Sequence, residues 1–357
     1  MRLATLRGAL FSAILMLVLA PVHAQEPLKI AFVYNSPIGD AGWTYQHDQG
    51  RQAVEAKLGG NVQTAFVESV TETDVERVLR QLVNSGHELI FTTSFGFMNP
   101  TVKVAESAPE IKFQHATGYK QSDNVGVYHA RAYEARYLSG VVAGEMSKTN
   151  IAGFIASFPI PEVVRGINAF TRGMRSVNPE ATVKVIWINS WYDPGKERDA
   201  VEVLIAQGAD VINQFTDSAA PTQAAQEHGV YSISVGSDRS KYGPDAHLTS
   251  VVYNWGDFYA EVAQQVIDDT WDSRNVWGGL KENMIGLAPL HPSIPAEVAT
   301  LVETRRKEIA NNEIHPFQGP VKDQLGEVRV AEGSVMTDEE LLGMNWYVEG
   351  IQGDLPQ

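Results

Sequence analysis

The chain of 357 residues contains no cysteine. That excludes a disulfide framework, a zinc ribbon, an iron–sulfur cluster and a cysteine nucleophile. It also removes any cysteine that could carry a lipid anchor. Basic residues are scarce: 28 Lys+Arg stand against 43 Asp+Glu, a net charge of −15. A nucleic-acid binder needs a basic face to meet phosphates, so that class is excluded too. Beyond the N-terminal segment no histidine pairs with another at i+3 or i+4, the spacing of a helical metal site. There is no G-x-S-x-G elbow and no P-loop, and no general acid–base pair can be assembled. We expect no enzyme, no cofactor and no metal. Past the first two dozen residues no apolar run reaches the roughly 20 residues a membrane span needs.

What is present begins with a signal for export. Arg2 and Arg7 form a positive start, Gly8 to Ala20 is almost wholly apolar, and Val22-His23-Ala24 suits cleavage before Gln25. Residues 1–24 are read as a signal peptide, and the mature protein as periplasmic. Their removal takes two arginines and no acids, so the exported chain is more acidic still. The length remaining suggests two domains, since single cores stop growing near about 250–300 residues.

The sequence carries one pattern twice. Leu28 to Tyr34 and Asn150 to Ala156 are strand-like apolar runs, each followed by a turn-rich loop and a helix with an early glycine, Gly50 or Gly166. Second strands follow at Val62 to Val67 and Val183 to Ile188. The steps from Ile30 to Ile151 and from Ser69 to Ser190 are both 121 residues. Asp74 to Asn84 and Arg198 to Gln207 are then helices, the second opened by Asp193 as cap and Pro194 in its first turn. Strands Leu89 to Thr93 and Val211 to Gln214 complete the parallel. Strand–helix alternation at this spacing predicts βαβ units and parallel sheets.

The expected fold is therefore α/β, two similar doubly wound parallel-sheet lobes joined by a hinge. The first lobe is drawn at 25–148 plus about 253–288, and the second at 149–252. The tail, 289–357, is expected to pack on both lobes. In open α/β sheets ligands sit beyond the carboxyl ends of the strands. Those ends carry Trp43, Phe95, Thr117, Asn189, Trp191, Phe215, Asp217, Asp238 and Trp255. A ring in nearly every such loop fits either lobe-to-lobe packing or a flat ligand held between π faces. Asp217 suits either hydrogen bonding to a ligand amine or capping of a helix over Ala219 to His228.

Several strings resemble one family. Ile38-Gly39-Asp40-Ala41-Gly42-Trp43-Thr44 is similar to an I-D-D-x-S-F-N signature, and Glu134 to Gly140 to an E-x-S-F-L-A-G helix. Asp193 to Lys196, Gln207 to Val211 and Ser237-Asp238 are similar to D-P-A-K, Q-G-A-D-I and the end of G-V-D-S-D. In this order they resemble the basic membrane protein family, the purine-nucleoside-receptor-like substrate-binding proteins of ABC transporters. The resemblance implies a type I periplasmic binding protein with three crossovers, and a base stacked on Trp43. It also implies acidic residues and a lysine around a ribose. This chain departs there, with Thr117, Gly236 and Tyr253 at those positions. A diol would lose charge-assisted partners. The resemblance of Trp43 to Arg51 to a subgroup with W-T-Y-Q-H-D-Q-G-R points to a free purine nucleobase, adenine first. Many relatives carry an N-terminal lipid, for which this chain has no cysteine. The expected partners are the small-molecule ligand and an inner-membrane ABC permease, with the protein itself a monomer. A nucleoside, small amide or sugar is the alternative ligand. An exported nucleoside hydrolase and a ligand-presenting sensor subunit are the alternative classes.

Overall fold

Short apolar runs become buried parallel strands because helices cover both faces of each sheet. The computed structural model describes residues 26–356, so the signal peptide lies outside the described residues. The chain runs β1 (Leu28–Val33), α1 (Trp43–Leu58), β2 (Val62–Val67), α2 (Val75–Asn84), β3 (Leu89–Thr92), α3 (Met98–Ala105), β4 (Lys112–Ala116), β5 (Val125–Ala130) and α4 (Ala132–Met146). The pattern then repeats as β6 (Ile151–Ala156), α5 (Pro161–Val177), β7 (Thr182–Trp187), α6 (Pro194–Ala206), β8 (Val211–Phe215), α7 (Ala220–His228), β9 (Tyr231–Gly236) and β10 (His247–Tyr253). The remainder is α8 (Gly256–Ile267), β11 (Asn275–Gly278), β12 (Ile285–Leu287), α9 (Ala296–Ala310), β13 (Val321–Lys322), β14 (Val328–Val330), α10 (Asp338–Leu342) and β15 (Ile351–Gln352).

Two large sheets form, in the orders β11-β5-β4-β3-β1-β2 and β12-β10-β9-β8-β6-β7-β15, beside a small ribbon of β13 and β14. Their centres share one doubly wound order, so the twofold sequence pattern is a twofold structure. Every pair in these sheets is parallel except β12 on β10. Alternation along β1 divides its side chains between two cores. Ile30 and Phe32 join the large cluster on one face, and Ala31 and Val33 join a second cluster with α2.

The chain crosses between lobes earlier than the expected boundary at residue 148. Helix α4 packs against α5, β10 and β12 of the second lobe, so the first crossing falls near Arg131. Its contact with α5 is close because glycines face backbone there. A Cβ on Gly140 would overlap the Phe170 carbonyl oxygen, and one on Gly173 that of Tyr137. The second crossing follows β10, since α8 packs on α1 and β1. The third lies between β11, paired with β5, and β12, paired with β10. The tail was expected to pack on both lobes. Its elements dock chiefly on the second, β15 on β7, α9 on α4 and α10 on α5, while Leu342 and Gly343 border a chamber shared with Phe95 and Tyr119 of the first.

Candidate ligand-binding site

The two sheets point the carboxyl ends of their strands at each other, and the loops there close on one shared cavity. Six of the residues singled out from sequence line it: Trp43, Phe95 and Thr117 from the first lobe, Trp191, Phe215 and Asp217 from the second.

Trp43 opens α1, and its indole is fixed rather than free. Nε1 donates to the Thr93 carbonyl at 2.7 Å, and the ring meets Tyr253, His47 and Trp255 edge to face. Phe215 ends β8 and is 7% exposed. The Arg136 guanidinium lies 4.5 Å from its ring centroid. Gly166 allows that ring its place, since a Cβ there would come within 2.9 Å of it. Trp191 leans on Phe158 with centroids 5.3 Å apart.

Asp217 does not cap a helix. Helix α7 starts at Ala220 behind Ala219, with no side-chain cap. Instead Oδ1 of Asp217 accepts from the Trp43 amide at 2.5 Å, across the gap between lobes. A second bond joins the lobes beside it, from the Gly42 amide to Oγ of Ser237 at 2.8 Å. Such an approach requires glycine on both sides. Gly42 and Gly236 have φ of 100° and 91°, and a Cβ on Gly236 would lie 2.6 Å from the Gly42 carbonyl carbon. Asp40 adds an exposed pair with Lys241, at 2.7 Å, and accepts from the Tyr242 hydroxyl.

The loop that carries Asp217 is braced from below. The buried Glu197 accepts from Thr216 Oγ1 at 2.8 Å and from the Ser218 amide at 3.3 Å. The fully buried Arg239 donates to the Ser218 and Asp217 carbonyls. Burial pushes the Asp217 carboxyl up to about 6, against the pull of Arg239. That is the direction expected when a carboxylate loses water.

Three expected residues do not reach the cavity. Trp255 is 1% exposed and forms the layer beneath Trp43, stacked on His47 at 5.1 Å and on Tyr253 at 5.2 Å. It stands at the start of α8, whose packing on α1 turns the ring inward. Asp238 is exposed and serves a turn, accepting from the Ser240 amide at 2.8 Å. Asn189 is exposed with φ of 52°, a turn position after β7. His115 is fully buried, bonded to Thr92, and does not line the cavity.

Other lining residues carried little distinguishing signal. Asn35 stood within a strand-end string with nothing to mark it above its neighbours, and Tyr253 was marked only as the departure from the lysine that the resemblance implies. Both bring a buried oxygen without a hydrogen-bond partner, Oδ1 of Asn35 and the hydroxyl of Tyr253. Glu162, in the first turn of α5, lay outside every motif. Among the described residues no group of acids and histidines is arranged to hold a metal.

Two parallel-sheet lobes with an aromatic cavity between their strand ends define a ligand-binding protein of the periplasmic two-lobe type. Its solved neighbours share this fold. A solute-binding protein of an ABC transporter system from Aeropyrum pernix K1 matches with a TM-score of 0.72 at 19% identity, over 88% of this chain and 97% of its own. A transcriptional activator of the comK gene from Bacillus halodurans matches at 0.70 and 23%, over 81% and 99%. The chain belongs to the PnrA-like ABC transporter substrate-binding proteins, whose family profile matches residues 28–323. A purine-binding protein of Brucella abortus is 50% identical over 94% of this chain and 96% of its own. TsgA13 of Haloferax volcanii, an ABC transporter protein whose name proposes glucose as ligand, is 39% identical over 93% and 82%. No described helix is long and apolar enough to cross a membrane.

Proposed function

We propose that this chain is an exported periplasmic protein that carries a purine base, adenine first, to an inner-membrane ABC permease. The observation that carries the reading is the make-up of the cavity. Rings from both lobes, Trp43 and Phe95 on one side and Phe215 and Trp191 on the other, line one space. Flat aromatic walls suit a flat ligand, with stacking contributing about 0.5–1.5 kcal/mol beyond area burial. The unpartnered oxygens of Asn35 and Tyr253 supply hydrogen-bonding groups for its edge. The purine name of the 50%-identical relative supports the same class. Thr117, Gly236 and Tyr253 at the cavity supply no charged partner for a ribose diol, which favours the free base.

Ligand binding and closure are one equilibrium. The base stacks on the lobe that holds Trp43, and the bonds from Gly42 and Trp43 to Ser237 and Asp217 hold the second lobe over it. Near-micromolar affinity corresponds to roughly −8 kcal/mol, toward which stacking, two or three buried hydrogen bonds and burial of the base contribute together.

Denaturing mass spectrometry of the purified protein tests the reading. A released purine base is the expected result. A released sugar, with no change in melting on adding any purine, contradicts it and favours the ligand named for the Haloferax relative.

A further inference from the structure

We infer that Glu162 is the specificity-determining contact of the cleft, the carboxyl that accepts from the ligand's N–H donors. The inference rests on the base reading above and assigns its edge recognition to a residue that no motif marks. Two acids line the cavity, Asp217 and Glu162. Asp217 is already engaged: it accepts from Trp43 and lies 3.4 Å from Arg239. Glu162 has no hydrogen bond and no ion pair within 4 Å among the described residues. The two nearby guanidiniums point elsewhere, Arg136 to Asn213 at 2.7 Å and Arg165 to the Leu341 carbonyl at 2.6 Å.

An acid in a helix's first turn often serves the helix dipole. Glu162 makes no capping bond there, and its side chain stands on the cavity wall. It also borders the adjoining chamber that Thr117, His129 and Arg165 line, so it sits where the two spaces meet. Burial pushes its carboxyl upward against the pull of Arg165 and Arg136. Glu162 is only partly buried and its oxygens are not among the enclosed unpartnered atoms, so they are free to meet a ligand, whose donors would replace the water there. The neighbouring free groups, Asn35 Oδ1 and the Tyr253 hydroxyl, can also accept. A wall so rich in acceptors selects a planar heterocycle that presents an amine, as adenine does, over the same ring without one.

The test is calorimetric titration of wild type, Glu162→Ala and Glu162→Gln with adenine and with unsubstituted purine. Wild type should bind adenine at least tenfold more tightly than purine. Glu162→Ala should lose at least tenfold for adenine and little for purine, so the preference collapses. Glu162→Gln, which keeps an acceptor and the shape, should lose less. A melting temperature for each variant separates misfolding from lost contact, and a preference kept in both variants overturns the inference. Wild type that binds neither base overturns the base reading and this inference together. Wild type that binds adenine, with both variants equal to it, overturns this inference alone.

Discussion

The amide of Trp43, in the first lobe, donates to Oδ1 of Asp217, in the second, at 2.5 Å. The residue that stacks on the proposed ligand is thus also the residue that bonds the far lobe. Ligand recognition and lobe closure meet at one position. A Cβ on the preceding Gly42 would overlap the same oxygen. Gly42→Ala should therefore hold the lobes apart. Ligand affinity should fall at least tenfold, and small-angle scattering with saturating ligand should show a larger radius than wild type. Lys241→Ala, which removes the exposed contacts to Asp40 and the Tyr242 ring, should change affinity less than threefold, as surface ion pairs contribute little.

Trp43→Ala removes a cavity wall and the bond to Thr93. Affinity should weaken by at least about 1 kcal/mol, or fivefold. The change in tryptophan fluorescence that adenine causes in wild type should largely disappear. An unchanged titration would remove Trp43 from the site.

Acidification acts on buried groups in opposite senses. His115 is held down to about 3, and His129, His247 and His315 to about 4, each chiefly by burial. Their contribution to stability is full above the ordinary histidine value and is lost as pH falls through those values. Asp217, raised to about 6 from 3.8, contributes stability that is full below 3.8 and lost as pH rises through 6. Glu134, raised to about 7, and Glu162 act in the same sense as Asp217. The melting temperature should still fall from pH 7 to 4, because the lowered histidines, His47 included, outnumber these acids. In Asp217→Asn the fall between pH 6 and 4 should be steeper, since one opposing group is gone. Parallel melting curves for the two proteins would contradict this.

Gly173 lets α5 lie against the Tyr137 carbonyl of α4. Gly173→Ala forces those helices apart within the second lobe. Overpacking costs about 1–3 kcal/mol, and for a chain of this size the melting temperature should drop by roughly 1.5–4 °C. A drop under about 1 °C would show that the crossing can relax.

The architecture was legible because the repeat at 121 residues and the strand–helix alternation are local patterns. Strand-end loops were legible for the same reason, and six of their residues reach one cavity. What failed was orientation. Trp255 and Trp43 look alike in sequence, yet α8 packing turns one ring into the core. Asp217 carries the local signal of a cap, but its partner is 174 positions away. Helix α4 lies beside the first lobe in sequence and on the second in space, because the hinge precedes it. Glu162 was invisible because an acid in a helix's first turn has an ordinary explanation, and only the cavity shows it without a partner.

The most direct measurement is calorimetric titration of the purified, ligand-stripped protein with adenine, repeated with glucose at millimolar concentration. Saturable one-to-one binding of adenine near micromolar, unaffected by glucose, is the expected result. Heat from glucose alone, with none from any purine base, would contradict the purine-carrier reading.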